Sequence, residues 1–266
     1  MEAPQQKVAQ LLLRFGSPLS ALRRLPLIGP CLKWASGKLV PRDSLTWVQV
    51  QSGAAKGLWL HLNPRTGKTY FEGAGEEAVQ QVLQKHLKPG MTFYDVGANI
   101  GLFSLIAARL VGENGRVMAF EADPEIAGRL REHLARNEFG WAAVEEKAVW
   151  SEAKPLYFVR TDPQTSPDRG LGHVVSAAGI ETIEVPGVTL DKFAETDRAP
   201  DLIKCDVEGA EVEVFRGAQK LLKEKRPIIV CEMHSEENRR ALAAMFQEFG
   251  YGCSDCGTNH VLALPR

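Results

Sequence analysis

The chain has 266 residues, 44% hydrophobic and 24% charged, with 32 Lys and Arg against 33 Asp and Glu. That length holds one large domain, or one with a small companion, and a core that needs no disulfide or structural metal. The balanced charge argues against a nucleic-acid partner, the apolar content argues against disorder, and no apolar run reaches the roughly 18 residues that cross a membrane. Cys31, Cys205, Cys231, Cys253 and Cys256 are odd in number, and two lie in strand-like apolar runs. They form no disulfide framework and fit a reducing, cytoplasmic compartment.

Residues 1–42 carry Lys7, Arg14, Arg23, Arg24, Lys33, Lys38 and Arg42 against the single acid Glu2, a surplus of +6 that leaves −7 on the rest. Leu11, Leu12, Leu13, Phe15, Leu19 and Leu22 add apolar character. A basic amphipathic arm over 1–43 either contacts a membrane peripherally or packs on the main domain with a solvated basic face; the packed arm is the preferred reading. Pro26 and Pro30 interrupt the apolar stretch and argue against a secretory signal, whereas a transit peptide would share its poverty in acids.

Residues 44–90 read as a lead-in. Trp47–Val50 and Leu58–Leu62 alternate apolar and polar residues around Ser52-Gly53 and Lys56-Gly57, which predicts a β-hairpin with a loop longer than two residues. A helix follows from about Glu76 to Leu87, stopped by Lys88-Pro89-Gly90. From 91 to 266 strand and helix alternate. Strands are expected at Thr92–Val96, Arg116–Glu121, Leu202–Asp206 and Pro227–Glu232. Helices are expected over Ile100–Val111, after the Asp123-Pro124 cap, through Val212, Phe215 and Leu222, and from Ser235 to Phe249. Ala142–Val144 and Lys147–Val149 flank a third strand region, Leu156–Val159 and Thr182–Val185 read as antiparallel additions, and 160–180 as a loop. Repeated β-α units imply a mostly parallel sheet covered on both faces.

In such sheets ligands bind beyond the carboxyl ends of the strands. Asp95 and Gly97, Glu121, Asp206 and Glu208, and Glu232 and His234 all end strands, so they should open on one edge. The loop Asp95-Val96-Gly97-Ala98-Asn99-Ile100-Gly101 lets the backbone turn sharply against a ligand. Glu121, 20 residues beyond Gly101, has the spacing of a carboxylate that accepts from ribose hydroxyls. Asn99 stands where a dinucleotide loop needs its second glycine for the pyrophosphate, and Ser104 where it needs the third. A ribose ligand without phosphates, such as S-adenosylmethionine, is free of that requirement.

The words FYDVGANIGLFSLIAARL, VMAFEADPE, EKAVWSE, VTLDKF, PDLIKCDVEGAEVEVFRGAQKLL and PIIVCEMH resemble, in order and spacing over about residues 72–252, the FkbM-type family of S-adenosylmethionine-dependent methyltransferases. The resemblance implies an α/β, Rossmann-like seven-stranded class I methyltransferase fold, here with an N-terminal helical and β-hairpin extension, and a late antiparallel strand near Val261–Leu264. By the same resemblance Asp95, Gly97, Asn99 and Gly101, with Ala98 among them, hold the methionine part of the cofactor. Glu121 holds the ribose, and Lys147, Ala148 and Val149 border the adenine. Asp206, Glu208, Glu232 and His234 are the candidates for removing a proton from the acceptor. The expected reaction is O-methylation of a hydroxyl on a sugar, glycan or secondary metabolite. N-methylation, a nicotinamide oxidoreductase and a binding module docking through its basic arm are the alternatives. Asp206, Glu208 and Glu232 could gather around Mg²⁺, and Cys253-x-x-Cys256 with His260 around zinc. No spacing rule selects either, and no metal is assigned.

Overall fold

The computed structural model describes residues 45–63, 67–160 and 172–266. The basic arm, and most of the loop expected over 160–180, lie outside them. The hairpin forms as expected from β1 (Thr46–Gln49) and β2 (Trp59–Leu62), antiparallel with Thr46 opposite Leu62. Two helices follow, α1 (Lys68–Glu72) and α2 (Glu77–His86).

The alternating region begins with β3 (Thr92–Val96), α3 (Leu102–Val111), β4 (Arg116–Phe120), α4 (Pro124–Arg136) and β5 (Ala142–Glu145). Helix α3 starts two residues later than its apolar pattern does. Gly101 at φ 88° is its N-cap, so the chain turns there before the helix begins. Helix α4 begins as read: Asp123 caps it, accepting from Glu125 N–H at 2.8 Å, with Pro124 at the first helical position.

The third strand region divides. β5 joins the large sheet, whereas β6 (Ala148–Val149) pairs with β9 (Thr182–Val188) in a second, four-stranded sheet with β7 (Pro155–Val159) and β8 (His173–Val175). After α5 (Leu190–Phe193) come β10 (Leu202–Cys205), α6 (Glu211–Arg216), β11 (Ile228–Glu232), α7 (Glu236–Glu248), β12 (Tyr251–Asp255) and β13 (His260–Pro265). The single helix expected through Leu222 is interrupted. α6 ends at Arg216, and a π-helical turn occupies Leu221–Lys225. At Gly217 a Cβ would lie 2.3 Å from the Trp150 carbonyl oxygen, so the chain there is shaped by tertiary contact.

The large sheet runs β12-β13-β11-β10-β3-β4-β5. Neighbours are parallel except β13, which is antiparallel to β11 and β12. Its central strands are buried on both faces, and their alternation divides the core. Phe93, Val117, Leu202 and Val230 face a cluster with α2 and α3, while Tyr94, Met118, Phe120, Ile203 and Ile229 face one with α6 and α7. Strand order reverses direction beside β3, so the carboxyl ends of β3, β4, β10 and β11 open on one edge.

Candidate active site

The loop after β3 is held in a tight form by its own backbone. Gly97 and Ala98 N–H both donate to the Phe120 carbonyl, at 3.0 and 2.9 Å. Gly97 has φ 73° and Gly101 φ 88°. A Cβ on Gly97 would sit 1.7 Å from the Asp206 carbonyl oxygen, and one on Gly101 1.9 Å from Leu130 Cδ1. Any side chain at either place would push the loop off β10 or off α4.

Three of the five described non-glycine residues with positive φ, namely Glu76, Asn99 and Glu208, lie at this edge of the sheet. Strained backbone of this kind concentrates at functional sites. At Asn99 the local bonds offset it: its N–H donates to Glu121 Oε2 at 2.8 Å and its Oδ1 accepts from Ile100 N–H at 2.6 Å.

Beneath the loop, Lys204 was not singled out by the sequence. It projects from β10 opposite Asp95. Its ammonium donates to the Gly97 carbonyl at 2.9 Å and lies 3.5 Å from Asp95 Oδ1 and 3.4 Å from Asp206 Oδ2. Burial works against its charge, but Asp206, Asp95 and Glu76 outweigh burial and raise its pKa. Asp95 is fully buried and accepts from the Ser104 hydroxyl at 2.6 Å. Burial raises its carboxyl, with Lys204 opposing. A lysine inside an apolar strand, in Leu202-Ile203-Lys204-Cys205, was the signal that could have found this pair.

Above the loop opens a cleft of about 950 Å³, its mouth included. Gly97, Asn99, Glu121, Ala148, Val149, Asp206 and Glu208 all line it, as does Lys147. Asp95, Ala98 and Gly101 lie behind this wall and support it. The far wall comes from the small sheet, through Phe158, Arg160 and His173. Arg160 crosses to α4 and forms a two-pronged pair with Asp123, at 2.8 and 3.0 Å, and a third bond to Glu125 at 2.8 Å. Asp123, against burial, is held below the usual carboxylate range by Arg160.

Glu121 is 9% exposed, and each carboxylate oxygen accepts one backbone N–H, from Asn99 and from Asp123 at 2.9 Å. Burial pushes its pKa up to about 7. The remaining lone pairs are suited to hydroxyl donors. Val149, Ala148, Phe120 and Ile126 beside it offer apolar faces for a purine. This donor set fits the adenosyl half of S-adenosylmethionine.

At the opposite end of the cleft stand two of the candidate bases, Asp206 and Glu208; Glu232 and His234 are not part of its lining and stand behind them. Asp206 and Glu208 follow β10, and His234 follows β11. His234 Nε2 lies 3.6 Å from Asp206 Oδ1 and 3.4 Å from Glu208 Oε2. Burial raises the Glu208 carboxyl, and burial followed by Asp206 raises that of Glu232. Glu232 lies on the side of His260, whose Nε2 is 3.7 Å from Glu232 and 3.2 Å from Glu76. Ligating atoms of Asp206, Glu232 and His234 converge within 4.8 Å, as do those of Glu76, Glu232 and His260. Lys204 lies 3.4 Å from Asp206, and each imidazole is within ion-pair distance of a carboxylate of its group, so both groups read as charge and hydrogen-bond networks of the chain itself. Cys253, in β12, is exposed, and His260 pairs with carboxylates rather than with the cysteines.

A glycine loop after the first parallel strand, an acid ending the second, and a penultimate sheet position filled by the last, antiparallel strand define a Rossmann-like class I methyltransferase. The methyltransferase FkbM domain model matches residues 95–257, more than half of the chain. The chain belongs to that family and is an S-adenosylmethionine-dependent methyltransferase. Hexuronic acid methyltransferase AglP of Haloferax volcanii is 28% identical over 177 residues, which cover 65% of this chain and 69% of that one. Protein-L-isoaspartate O-methyltransferase 1 of Arabidopsis thaliana is 34% identical over 80 residues, 23% of this chain and 35% of that protein. The crystal structure of methyltransferase FkbM from Methylobacillus flagellatus KT superposes with a TM-score of 0.49 at 16% identity, over 70% of this chain and 52% of that one. The chain thus spans about half of that solved protein. Among the described residues no helix is long and apolar enough to cross a membrane.

Proposed function

We propose that the protein transfers the methyl group of S-adenosylmethionine to a hydroxyl of a sugar, glycan or other small molecule. The observation that carries this reading is the single cleft in which the Gly97, Asn99 and Glu121 wall faces Asp206 and Glu208. One side suits a nucleoside with a free ribose, and the other offers proton acceptors at the place where an acceptor would enter. The similarity to a hexuronic acid methyltransferase supports a sugar as the acceptor class.

When bound, the cofactor supplies an electrophilic methyl group on a sulfonium. Glu121 would accept from the ribose hydroxyls, Lys147, Ala148 and Val149 would border the adenine, and Gly97 with Asn99 would face the methionine part. Asp95 and Lys204 act from beneath, fixing the loop that makes this surface. The chain's largest contribution is to align acceptor and methyl group, worth up to about 7–11 kcal/mol of the barrier. Asp206, Glu208, Glu232 and His234 then provide for the hydroxyl proton, where a positioned base typically adds about 10²–10⁴-fold.

The test is transfer of labelled methyl from S-adenosylmethionine to a pooled sugar and glycan fraction, followed by mass and NMR analysis of the product. A methyl ether is the expected linkage. A labelled amine, or label confined to protein or nucleic acid, would refute the reading. Alanine at Asp206, Glu208, Glu232 and His234 together is expected to lower turnover by about 10²-fold or more while cofactor affinity is kept; unchanged turnover would mean that alignment alone suffices.

A further inference from the structure

Behind Asp206 and Glu208, which line the cleft, the two ring nitrogens of His234 face different groups. Nδ1 lies 2.6 Å from Glu211 Oε1. Glu211 begins α6 and is fully buried, at 0% exposure. Its carboxylate is further fixed by Gly209 N–H at 2.9 Å and by the Asn238 side-chain amide at 2.6 Å, and Asn238 also donates to the Gly209 carbonyl. Burial opposes the charge on Glu211, but the His234 bond and these donors hold its carboxyl below the usual range. An ionised carboxylate only accepts, so Nδ1 carries the proton in the neutral ring and the lone pair stands on Nε2. Nε2 points at Asp206 and Glu208, the two carboxylates that line the acceptor end of the cleft. The ring is set from behind by a buried acid and presents its basic nitrogen forward, the arrangement by which a nucleophile's base is oriented in acyl-transfer enzymes.

We infer that Glu211 is a positioning residue that fixes the ring and tautomer of His234, and that His234 Nε2 takes the proton of the acceptor hydroxyl during methyl transfer. The inference rests on the O-methylation reading above. The atoms balance without a further reactant. The acceptor O–H bond breaks as its oxygen bonds the methyl carbon, the methyl–sulfur bond breaks to leave a neutral thioether, and the proton moves to Nε2. The imidazolium so formed stands between Glu211 on one side and Asp206 and Glu208 on the other, with Glu232 beyond Asp206. These are the charged groups contributed by α6, the β10 loop and β11, and α7 contributes the uncharged Asn238. Their sign stabilises the product of the proton transfer. The Glu211 bond, against burial and with Glu211, Glu208 and Asp206 adding charge, raises His234 to about 9. Most molecules then hold the ring protonated at neutrality, and turnover should climb with pH as the free base appears.

The experiment compares the full chain with E211Q and H234Q. Glutamine at 211 keeps an acceptor for Nδ1–H but removes the charge. The first readout is the imidazole titration of His234 by long-range ¹H–¹⁵N NMR, which needs no acceptor. The expected result is the Nδ1–H tautomer with a midpoint near 9 in the native chain, falling by about two pH units in E211Q toward the ordinary histidine value. An Nε2–H tautomer, or an unmoved midpoint, would overturn the positioning role. The second readout is methyl transfer from labelled S-adenosylmethionine to the sugar and glycan fraction across pH 6–10. The native rate should be half-maximal near the NMR midpoint and level off about one pH unit above it. E211Q should plateau earlier and about 10- to 100-fold lower, and H234Q should lose the inflection. A role in folding alone would lower the rate of E211Q without moving its inflection, and that result overturns the inference. An N-methyl product would refute the O-methylation reading, and with it the role of His234 in transfer, while the NMR result still decides the role of Glu211.

Discussion

If Glu121 holds the ribose as proposed, cofactor binding should be coupled to its protonation. With its pKa raised to about 7 by burial, the side chain is half protonated at neutrality even though two backbone N–H groups favour its charged form. Ribose hydroxyls donating to it would favour the carboxylate further, so binding should release a proton. The sign follows: affinity for S-adenosylmethionine should strengthen as pH rises toward 7, by up to about tenfold per unit, and level off above it. Calorimetry in buffers of different ionisation heat would detect the released proton. E121Q should flatten this dependence and weaken binding by about ten- to a hundred-fold, the worth of a hydrogen bond to a charged group; an unchanged Kd would remove Glu121 from the ribose site. The place of Glu121 in the cleft wall was legible in the sequence because an acid about 20 residues beyond a glycine loop, at the end of the next strand, follows a recurring βαβ spacing. Glu211 was not. Its partner His234 is 23 residues away, and no recurring motif spacing links the start of that helix to the end of the following strand; only the folded sheet brings them together. Lys204 was hidden for a related reason, since a charge in an apolar strand declares itself only once Asp95 is placed beside it.

At the scale of elements, α4 joins three parts of the molecule through His133. The ring is buried, its Nε2 accepting from the His61 backbone N–H at 2.8 Å and its Nδ1–H donating to the Ile100 carbonyl at 2.7 Å. One residue thus ties the hairpin to the glycine loop. The bond that Nε2 accepts requires the neutral ring, since protonation would turn that nitrogen into a donor facing the His61 N–H, and burial lowers the ring's pKa to about 4. A depressed histidine pKa contributes stability that is complete above the unfolded value near 6.5 and is lost as pH falls toward the folded one. The loss should reach about 3 kcal/mol at pH 4. Urea unfolding at pH 7 and pH 4.5 would measure it, and H133Q should show less of this acid sensitivity while being less stable at neutral pH. Among the elements themselves, β4 and β11 were readable from runs of four apolar residues bounded by turn signals, and β3 and β10 from β-rich runs interrupted only by Asp95 and Lys204. Strand β8 was not. Three residues, His173–Val175, carry too short a pattern to register, and its pairing with β7 creates it.

For the whole molecule, the lead-in over 44–90 and the domain over 91–266 are divided by sequence character but not by their packing. Val48, Leu60 and Leu62 of the hairpin and Val79, Val82 and Leu83 of α2 lie in the same buried cluster as Phe93, Leu105, Ile106, Val117 and Leu202. Glu76, at the start of α2, reaches His260 on β13, so the lead-in also closes the edge of the sheet where the cleft opens. Each fully buried aliphatic or aromatic side chain contributes about 1.5–3 kcal/mol, so six such residues are comparable with the roughly 5–15 kcal/mol by which a whole domain is stable. A chain cut at residue 91 would expose the faces of α3 and β3 that these side chains cover. The full protein should therefore unfold in a single cooperative transition, with the hairpin, followed by Trp47 and Trp59 fluorescence, melting together with the sheet, followed by far-ultraviolet circular dichroism. The 91–266 fragment should be insoluble, or collapsed without a cooperative transition. A fragment that folds cooperatively and binds S-adenosylmethionine with native affinity would show that the shared core is dispensable.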